Sequence, residues 1–423
     1  MHCQVYKRIT FCLLGLLLLS SSAVHAQVGL RDLDAYIERA LQDWDVPGLA
    51  LAIVRNDSIV HARGYGVREV GRPAPVDEHT MFAIGSNAKA FTAATVGLLV
   101  QEGELSWDDP VVKYLPTLQL ADPYATQHLT LRDVLAHRSG LSGGDLLTLT
   151  DYSREDILRR IRYLQPSQSF RNGPAYGSIL YLAASEVVRS IAGVPWEQFV
   201  DERLFRPLGM RRTTADAREL ERFDNVASPH LHIDGTLRPI PYRKVNNMAP
   251  AGGIISSAAD MTHWLTMLIN DGRYNDTTLL NSSVVRELRA PQMIFRTELA
   301  PGTFPSAHLA ASALGWFVQD YHDRLVVWHT GGAAGMSSTV GLVPEDGVAV
   351  VVLTNTLLNG LHTAAFWRAI DACLGLPERD WSAEALQQWR DPAAWVAMRE
   401  EQLRGRRDES ARSSVPLRAF VGV

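Results

Sequence analysis

Cysteine is almost absent from this chain. Of its three, Cys3 and Cys12 fall in the first 26 residues, and Cys373 alone cannot close an internal disulfide, so the folded chain must be held by its core. Long apolar runs are missing as well. Beyond residue 26 no stretch approaches the roughly 18 apolar residues of a membrane-spanning helix. Positive charge is not in excess: the net charge is −5 over 423 residues, and −7 without the first 26, whose Lys7 and Arg8 are matched by no acid. A nucleic-acid surface is therefore not expected. Lysine is scarce, and only Lys89, Lys113 and Lys244 follow residue 26.

What is present at the start is a basic pair (Lys7, Arg8), an apolar stretch from Ile9 to Leu19, serines, and Val24-His25-Ala26. That order reads as a cleavable signal peptide cut after Ala26, and it implies a periplasmic or secreted protein. No Cys follows the cut, so a lipoprotein anchor is not expected. The remainder, in a chain 46% hydrophobic and 21% charged, suits one large or two intimate globular domains with a substantial core.

The most informative stretch is Ser86-Asn87-Ala88-Lys89 and the run that follows it. Residues 88–100 carry no Pro and no charge except Lys89, which predicts a helix buried on every face. Positions three apart share a helix face at roughly 5–6 Å. Ser86 and Lys89 should therefore stand side by side near the amino end, where free N–H groups and the helix dipole favour a developing anion. By chance, one Ser-x-x-Lys is expected roughly a fifth of the time with so few lysines, so the spacing alone is weak. The setting strengthens it: an ammonium in an apolar helix costs several kcal/mol unless partnered or deprotonated. The plainer alternative makes Ser86 an N-cap and Lys89 a solvated charge.

Along the chain, Leu30–Trp44 has helical spacing and is ended by Pro47-Gly48. Residues 49–54 and 59–62 flank the polar turn Arg55-Asn56-Asp57-Ser58 and predict a β-hairpin. A helix is expected from Thr130 through Ala136, closed by Ser139-Gly140, with further helices over 153–164 and 179–193. Strand composition returns at 325–327, 338–343 and 348–353 among glycine-rich turns. The implied fold is α/β: an antiparallel sheet built from both ends of the chain, flanked by helices, with a mostly helical insertion.

Two further constellations fall in order after Ser86 and Lys89: Tyr176-Gly177-Ser178 and His329-Thr330-Gly331-Gly332. With Val46-Pro47-Gly48, Ala136-His137-Arg138-Ser139-Gly140-Leu141, Phe205-Arg206-Pro207-Leu208-Gly209-Met210 and Ala251-Gly252-Gly253, they resemble the class C β-lactamase-related serine hydrolases, which share the fold of penicillin-binding proteins. The resemblance covers about residues 30–375. It implies a nucleophilic Ser86, with Lys89 and Tyr176 the candidates for taking its proton, a task that needs a base near neutral pKa. It implies an oxyanion hole from the amides of Ser86 and Gly332, and no metal or cofactor. It places Ser178, His329, Thr330 and Gly331 at the substrate, with Thr330 bonding a carboxylate or carbonyl and Gly331 letting the substrate lie close. His329 stands where many relatives carry Lys, and is expected to be charged only below about pH 6.5.

One departure is Ser178, where many relatives have Asn. A hydroxyl is shorter and has no separate donor and acceptor atoms, so contact with Lys89 or with a substrate amide is expected to suffer. His230-Leu231-His232 resembles a metal pair but is read as structural, since alternate strand residues share a face without needing a metal. His137 to Gly140 is read as a helix end supporting the cleft, and Asp108-Asp109 as a turn. Beyond residue 375, two short helices separated at Asp391-Pro392, a polar linker at 404–412 and a final SVPLRAFVGV, like the opening of a small β domain whose remainder is missing, are expected. The sequence thus predicts a serine hydrolase acting through an acyl-enzyme on β-lactams, D-amino-acid peptides or small esters. The rival from another class is a non-hydrolytic penicillin or peptidoglycan binder or sensor.

Overall fold

Residues 348–354 read VAVVVLT, and both faces of that strand are covered. Val348, Val350 and Val352 belong to one apolar cluster, while Ala349, Val351 and Leu353 belong to another. An uninterrupted aliphatic run is what a strand buried on both faces requires. The computed structural model describes residues 30–390 except 31, 146, 148–149, 244–245, 296–306, 334 and 358. The expected signal peptide, the second tail helix, the linker and the final apolar segment lie outside the described residues.

The large sheet has eight strands: β1 (Gly48–Arg55), β2 (Ser58–Gly66), β3 (Met293–Phe295), β4 (Ala310–Ser312), β5 (Phe317–Tyr321), β6 (Arg324–Ala333), β7 (Met336–Val343) and β8 (Val348–Thr354). Their order is β2-β1-β8-β7-β6-β5-β4-β3, and every pairing is antiparallel. The first and last of these strands pair with each other one strand in from an edge, where Leu49 pairs with Thr354 and Arg55 with Val348. The β1–β2 hairpin forms as expected. It turns through Asn56 and Asp57, both at positive φ, a conformation Asn and Asp tolerate better than most residues.

The described helices include α1 (Leu33–Asp43), α2 (Ala88–Gln101), α3 (Leu131–Leu135), α4 (Ile179–Ala192), α5 (Ala258–Ile269), α6 (Leu361–Leu374) and α7 (Trp381–Arg390). Residues of α1, α6 and α7 share the cluster on one face with Leu49, Leu51 and Ile53. Residues of α2, α4 and α5 share the other with Ala50, Ala52 and Val54. Among the described residues, the segment between β2 and β3 supplies no strand to the large sheet and holds α2 to α5 with several further short helices, which is the helical insertion the sequence predicts. Among the described residues no helix is long and apolar enough to cross a membrane.

Two pieces of local structure position the site. The strand Met81–Ala83 pairs with Ile255–Ser257, Ala83 lying opposite Ile255. The residues just after the first strand and just before the second therefore lie close together. The other piece is α3, whose amino end is fixed by a Thr130–Asp133 capping box and whose carboxyl end leads into His137.

Candidate active site

Ser86 sits in a single 3-10 turn, Gly85–Asn87, that feeds directly into α2. Gly85 has φ +54, and a side-chain carbon there would stand 2.5 Å from the Gly332 nitrogen of β6. Only glycine meets both demands. On the facing strand, a carbon at Gly331 would stand 2.0 Å from the Ile84 carbonyl oxygen and 2.6 Å from Ser338 Oγ. Ser338 Oγ donates to that same carbonyl at 2.8 Å and accepts from Asn87 Nδ2 at 2.8 Å. The turn holding Ser86 is thus pinned to β6 and β7 by backbone contact and two hydrogen bonds. On the side where Gly331 lacks a side chain, the strand lies directly against the protein's own Ile84 carbonyl.

Lys89 occupies the first turn of α2 and has no exposed surface. The solvated-charge alternative therefore fails. Its Nζ bonds Ser86 Oγ at 2.9 Å, Ser178 Oγ at 3.2 Å and the Ala251 carbonyl at 2.8 Å. Three acceptors around one amine offset the desolvation that burial imposes. The expectation that Ser178 would be too short to reach Lys89 is overturned. Ser178 opens α4, its own N–H donates to Asp145 Oδ1 at 3.1 Å, and that placement carries the hydroxyl to the amine.

Tyr176 comes to Lys89 through its ring: Nζ lies 5.2 Å from the ring centroid, within range of cation–π attraction. The residue is 39% exposed. Its ring packs against His137 at 4.4 Å between centroids, with Phe317 and His329 each at 6.0 Å. His137, at φ +58, accepts from the Gly177 N–H on Nδ1 at 3.4 Å, and its carbonyl accepts from the Ala175 N–H at 2.9 Å. The helix end thus buttresses the tyrosine loop. Burial, then the Lys89 and His329 charges, hold the His137 imidazole well below its ordinary range, so it is neutral.

His329 is 2% exposed, stacked on Phe317 at 4.5 Å, with Nδ1 donating to the Thr330 carbonyl. Burial first, and the neighbouring Lys89 second, push it down to about 3. It does not gain charge just below pH 6.5 as expected, because burial disfavours the charged imidazole. Thr330 is half-buried beside it. Gly332 is exposed at the surface of β6, its nitrogen against Gly85, one residue before Ser86.

The remaining candidates behave as ordinary structure. His230 donates from Nδ1 to the Asn355 carbonyl at 2.8 Å and accepts from the Val70 N–H on Nε2 at 3.1 Å, so both nitrogens are occupied. Asp108 grips Arg132, while Asp109 accepts from the Ser106 N–H and the Tyr114 hydroxyl. Sequence reasoning did not find Ala251 or Asn87 as parts of the site, because a backbone carbonyl has no side-chain signal and a lone Asn has too many uses.

A model of the beta-lactamase family matches residues 33–374. The chain belongs to the beta-lactamase family. Among similar members is penicillin-binding protein 4 of Amycolatopsis lactamdurans, 30% identical over 339 residues that cover 78% of this chain and 85% of that protein. The unguisins hydrolase ungD' of Aspergillus campestris is 29% identical over 372 residues, 83% of this chain and 67% of the relative. Its counterpart in Aspergillus violaceofuscus is 25% identical over 376 residues, and there the chain spans 65% of the relative's length. A penicillin-binding protein homologue from Pyrococcus abyssi, octameric in its own structure, shares the fold, with a TM-score of 0.69 at 23% identity over 82% of this chain and 78% of that one. The chain is thus a hydrolase-superfamily member whose sheet and flanking helices have the penicillin-binding-protein arrangement.

Proposed function

We propose that this protein is a serine hydrolase that forms an acyl-enzyme on Ser86. The observation that carries the reading is the 2.9 Å hydrogen-bond distance between Lys89 Nζ, an amine with no exposed surface, and Ser86 Oγ. A hydroxyl in contact with a buried amine is a nucleophile beside its base. In this reading Lys89 takes the Ser86 proton as Oγ attacks a carbonyl carbon, and the amides of Ser86 and Gly332 receive the oxyanion. Tyr176, held over the amine, borders the leaving-group side, and Thr330 on β6 offers a hydroxyl to the substrate. Water then attacks the ester on Ser86 and frees the acid.

Substrates of the class would be amides and esters of modest size: β-lactams, D-amino-acid peptides or simple esters. The hydrolase names of the Aspergillus relatives support turnover over mere binding. Residues 1–26, read as a signal peptide, go with action in the periplasm or outside the cell.

The test is incubation of the protein and its Ser86→Ala variant with a fluorescent penicillin and with p-nitrophenyl esters. Turnover that disappears in the variant is the expected result. A stable one-to-one label without turnover would instead make the protein a sensor, and neither label nor hydrolysis would remove the acyl-enzyme reading altogether.

A further inference from the structure

Lys89 has three hydrogen-bond neighbours, and their kinds differ. The Ala251 carbonyl can only accept, whereas the hydroxyls of Ser86 and Ser178 can accept or donate. In its amine form Lys89 has two N–H bonds and one lone pair. If the carbonyl takes one N–H and Ser178 Oγ the other, the lone pair is left for the Ser86 O–H. That assignment satisfies every member of the cluster at the distances found, 2.8, 3.2 and 2.9 Å. It also leaves the Ser178 hydroxyl with its own proton to give. Among the described residues, Lys89 is the hydrogen-bond partner of Ser178 Oγ, and the Ser178 backbone is fixed by Asp145. Tyr176 meets the same amine through its ring face, not through its hydroxyl.

Building on the acyl-enzyme reading, we propose that Ser178 is a proton-transfer residue that completes a Ser86–Lys89–Ser178 relay and delivers the proton to the leaving group. As Ser86 Oγ bonds to the carbonyl carbon, its proton passes to Lys89 Nζ. As the bond from that carbon to the leaving nitrogen or oxygen breaks, Lys89 passes one proton to Ser178 Oγ and Ser178 passes its original hydroxyl proton to the departing atom. The amine and the hydroxyl are regenerated, the leaving group departs neutral, and the acyl group stays on Ser86. No other reactant is needed. The residue expected to impair the site by being short is, in this arrangement, the one whose exchangeable proton an Asn could not supply.

The leaving group makes the relay testable. A p-nitrophenolate departs without a proton, whereas an anilide or amine requires one. The measurement is kcat for a p-nitroanilide and a p-nitrophenyl ester of the same acyl group, in the full chain and in Ser178→Ala, Ser178→Asn and Ser178→Thr. The anilide-to-ester ratio should fall about 100-fold in the Ala variant, the lower end of what a positioned acid contributes. It should fall equally in the Asn variant, which keeps hydrogen bonding to Lys89 but has no hydroxyl, and return to within about 3-fold in the Thr variant. An unchanged ratio in Ser178→Ala, or a ratio that collapses in Tyr176→Phe and not in Ser178→Ala, overturns the relay while leaving the acyl-enzyme intact. If the unmodified protein shows no Ser86-dependent hydrolysis of either substrate, the acyl-enzyme reading fails and takes the relay with it.

Discussion

Gly331 on β6 and Ile84, two residues before Ser86, touch so closely that a methyl group at 331 would lie 2.0 Å from the Ile84 carbonyl oxygen. The oxygen is backbone and is already bonded by Ser338 and Asn87, so it cannot step aside freely. Gly331→Ala should push the nucleophile turn off the sheet. We expect a loss of about 1–3 kcal/mol in stability, the range for overpacking, together with at least a 10-fold fall in ester hydrolysis at a temperature where the variant is fully folded. Urea unfolding and steady-state rates check both. Retained activity would show that the position of Ser86 does not depend on this contact.

Lys89→Met keeps the length and most of the volume of the side chain but removes the amine. Ser86 then has no base, and acylation should slow by at least about 10²-fold. The fold should survive, because a thioether fills the same buried space without bringing a charge into it, although Ser178 and the Ala251 carbonyl lose their partner. Mass-spectrometric detection of the acyl-enzyme over time gives the rate, and circular dichroism gives the fold. A variant that acylates at the original rate would move the base elsewhere, with Tyr176 the next group to examine.

The sequence made the centre of the sheet and the helix after Ser86 readable because both obey simple periodicities. The uncharged run in α2 announced burial on every face, and the polar turn at 55–58 announced the hairpin. For β6 the aliphatic composition marks only 325–327, while His329 to Gly332 reads as the end of a strand. The strand in fact continues to Ala333, with Gly331 opposite Ser338 and Gly332 opposite Ser337. Those glycines serve a close approach between two backbones, and nothing local records which residue approaches. Strands β3, β4 and β5, the three at one end of the sheet, escaped for a similar reason: short segments lean on their neighbours, not on their own propensity. The Ser-Lys pair was legible from spacing, but the Ala251 carbonyl and the reach of Ser178 depend on how distant segments pack.

His329 gives a prediction in pH. Its folded pKa of about 3 lies below the ordinary value near 6.5, so the unfolded chain binds the proton more readily. Stability is complete above pH 6.5 and declines as pH falls from there toward 3, by about 1.4 kcal/mol per pH unit for each such proton. His137, and His362 at about 4, are depressed by burial in the same sense. The carboxyls of Asp260 and Asp371, raised chiefly by burial, act in the opposite sense. Replacing His329 with Phe removes one proton from this balance and leaves the others in place. Between pH 6 and pH 4, the unfolding free energy of His329→Phe should therefore fall less steeply than that of the parent, by about one proton's slope. Parallel curves would mean that His329 already carries its charge in the folded state.

Asp133 offers a test of how the tyrosine loop is held. Its carboxylate is fully buried in α3, where it accepts from the Thr130 N–H at 3.0 Å and hydroxyl at 2.8 Å. It also meets Arg138 Nη2 at 3.0 Å and Arg171 Nη2 at 2.6 Å. Arg138 adjoins His137, and Arg171 begins the loop that rises to Tyr176, so one carboxylate ties both sides of the tyrosine to the end of a helix. Asp133→Asn keeps the shape but leaves two partly exposed guanidinium groups without their counter-charge, a change that costs about 1–3 kcal/mol, between the exposed and fully buried cases. The same loosening should free the Tyr176 ring from His137. The expected signature is a lower thermal midpoint together with a fall in kcat, at 15 °C or so below unfolding, that exceeds any rise in KM. If the midpoint drops and kcat at full folding does not, the clamp stabilises the domain without positioning Tyr176, and the ring is held by its packing against His137, Phe317 and His329.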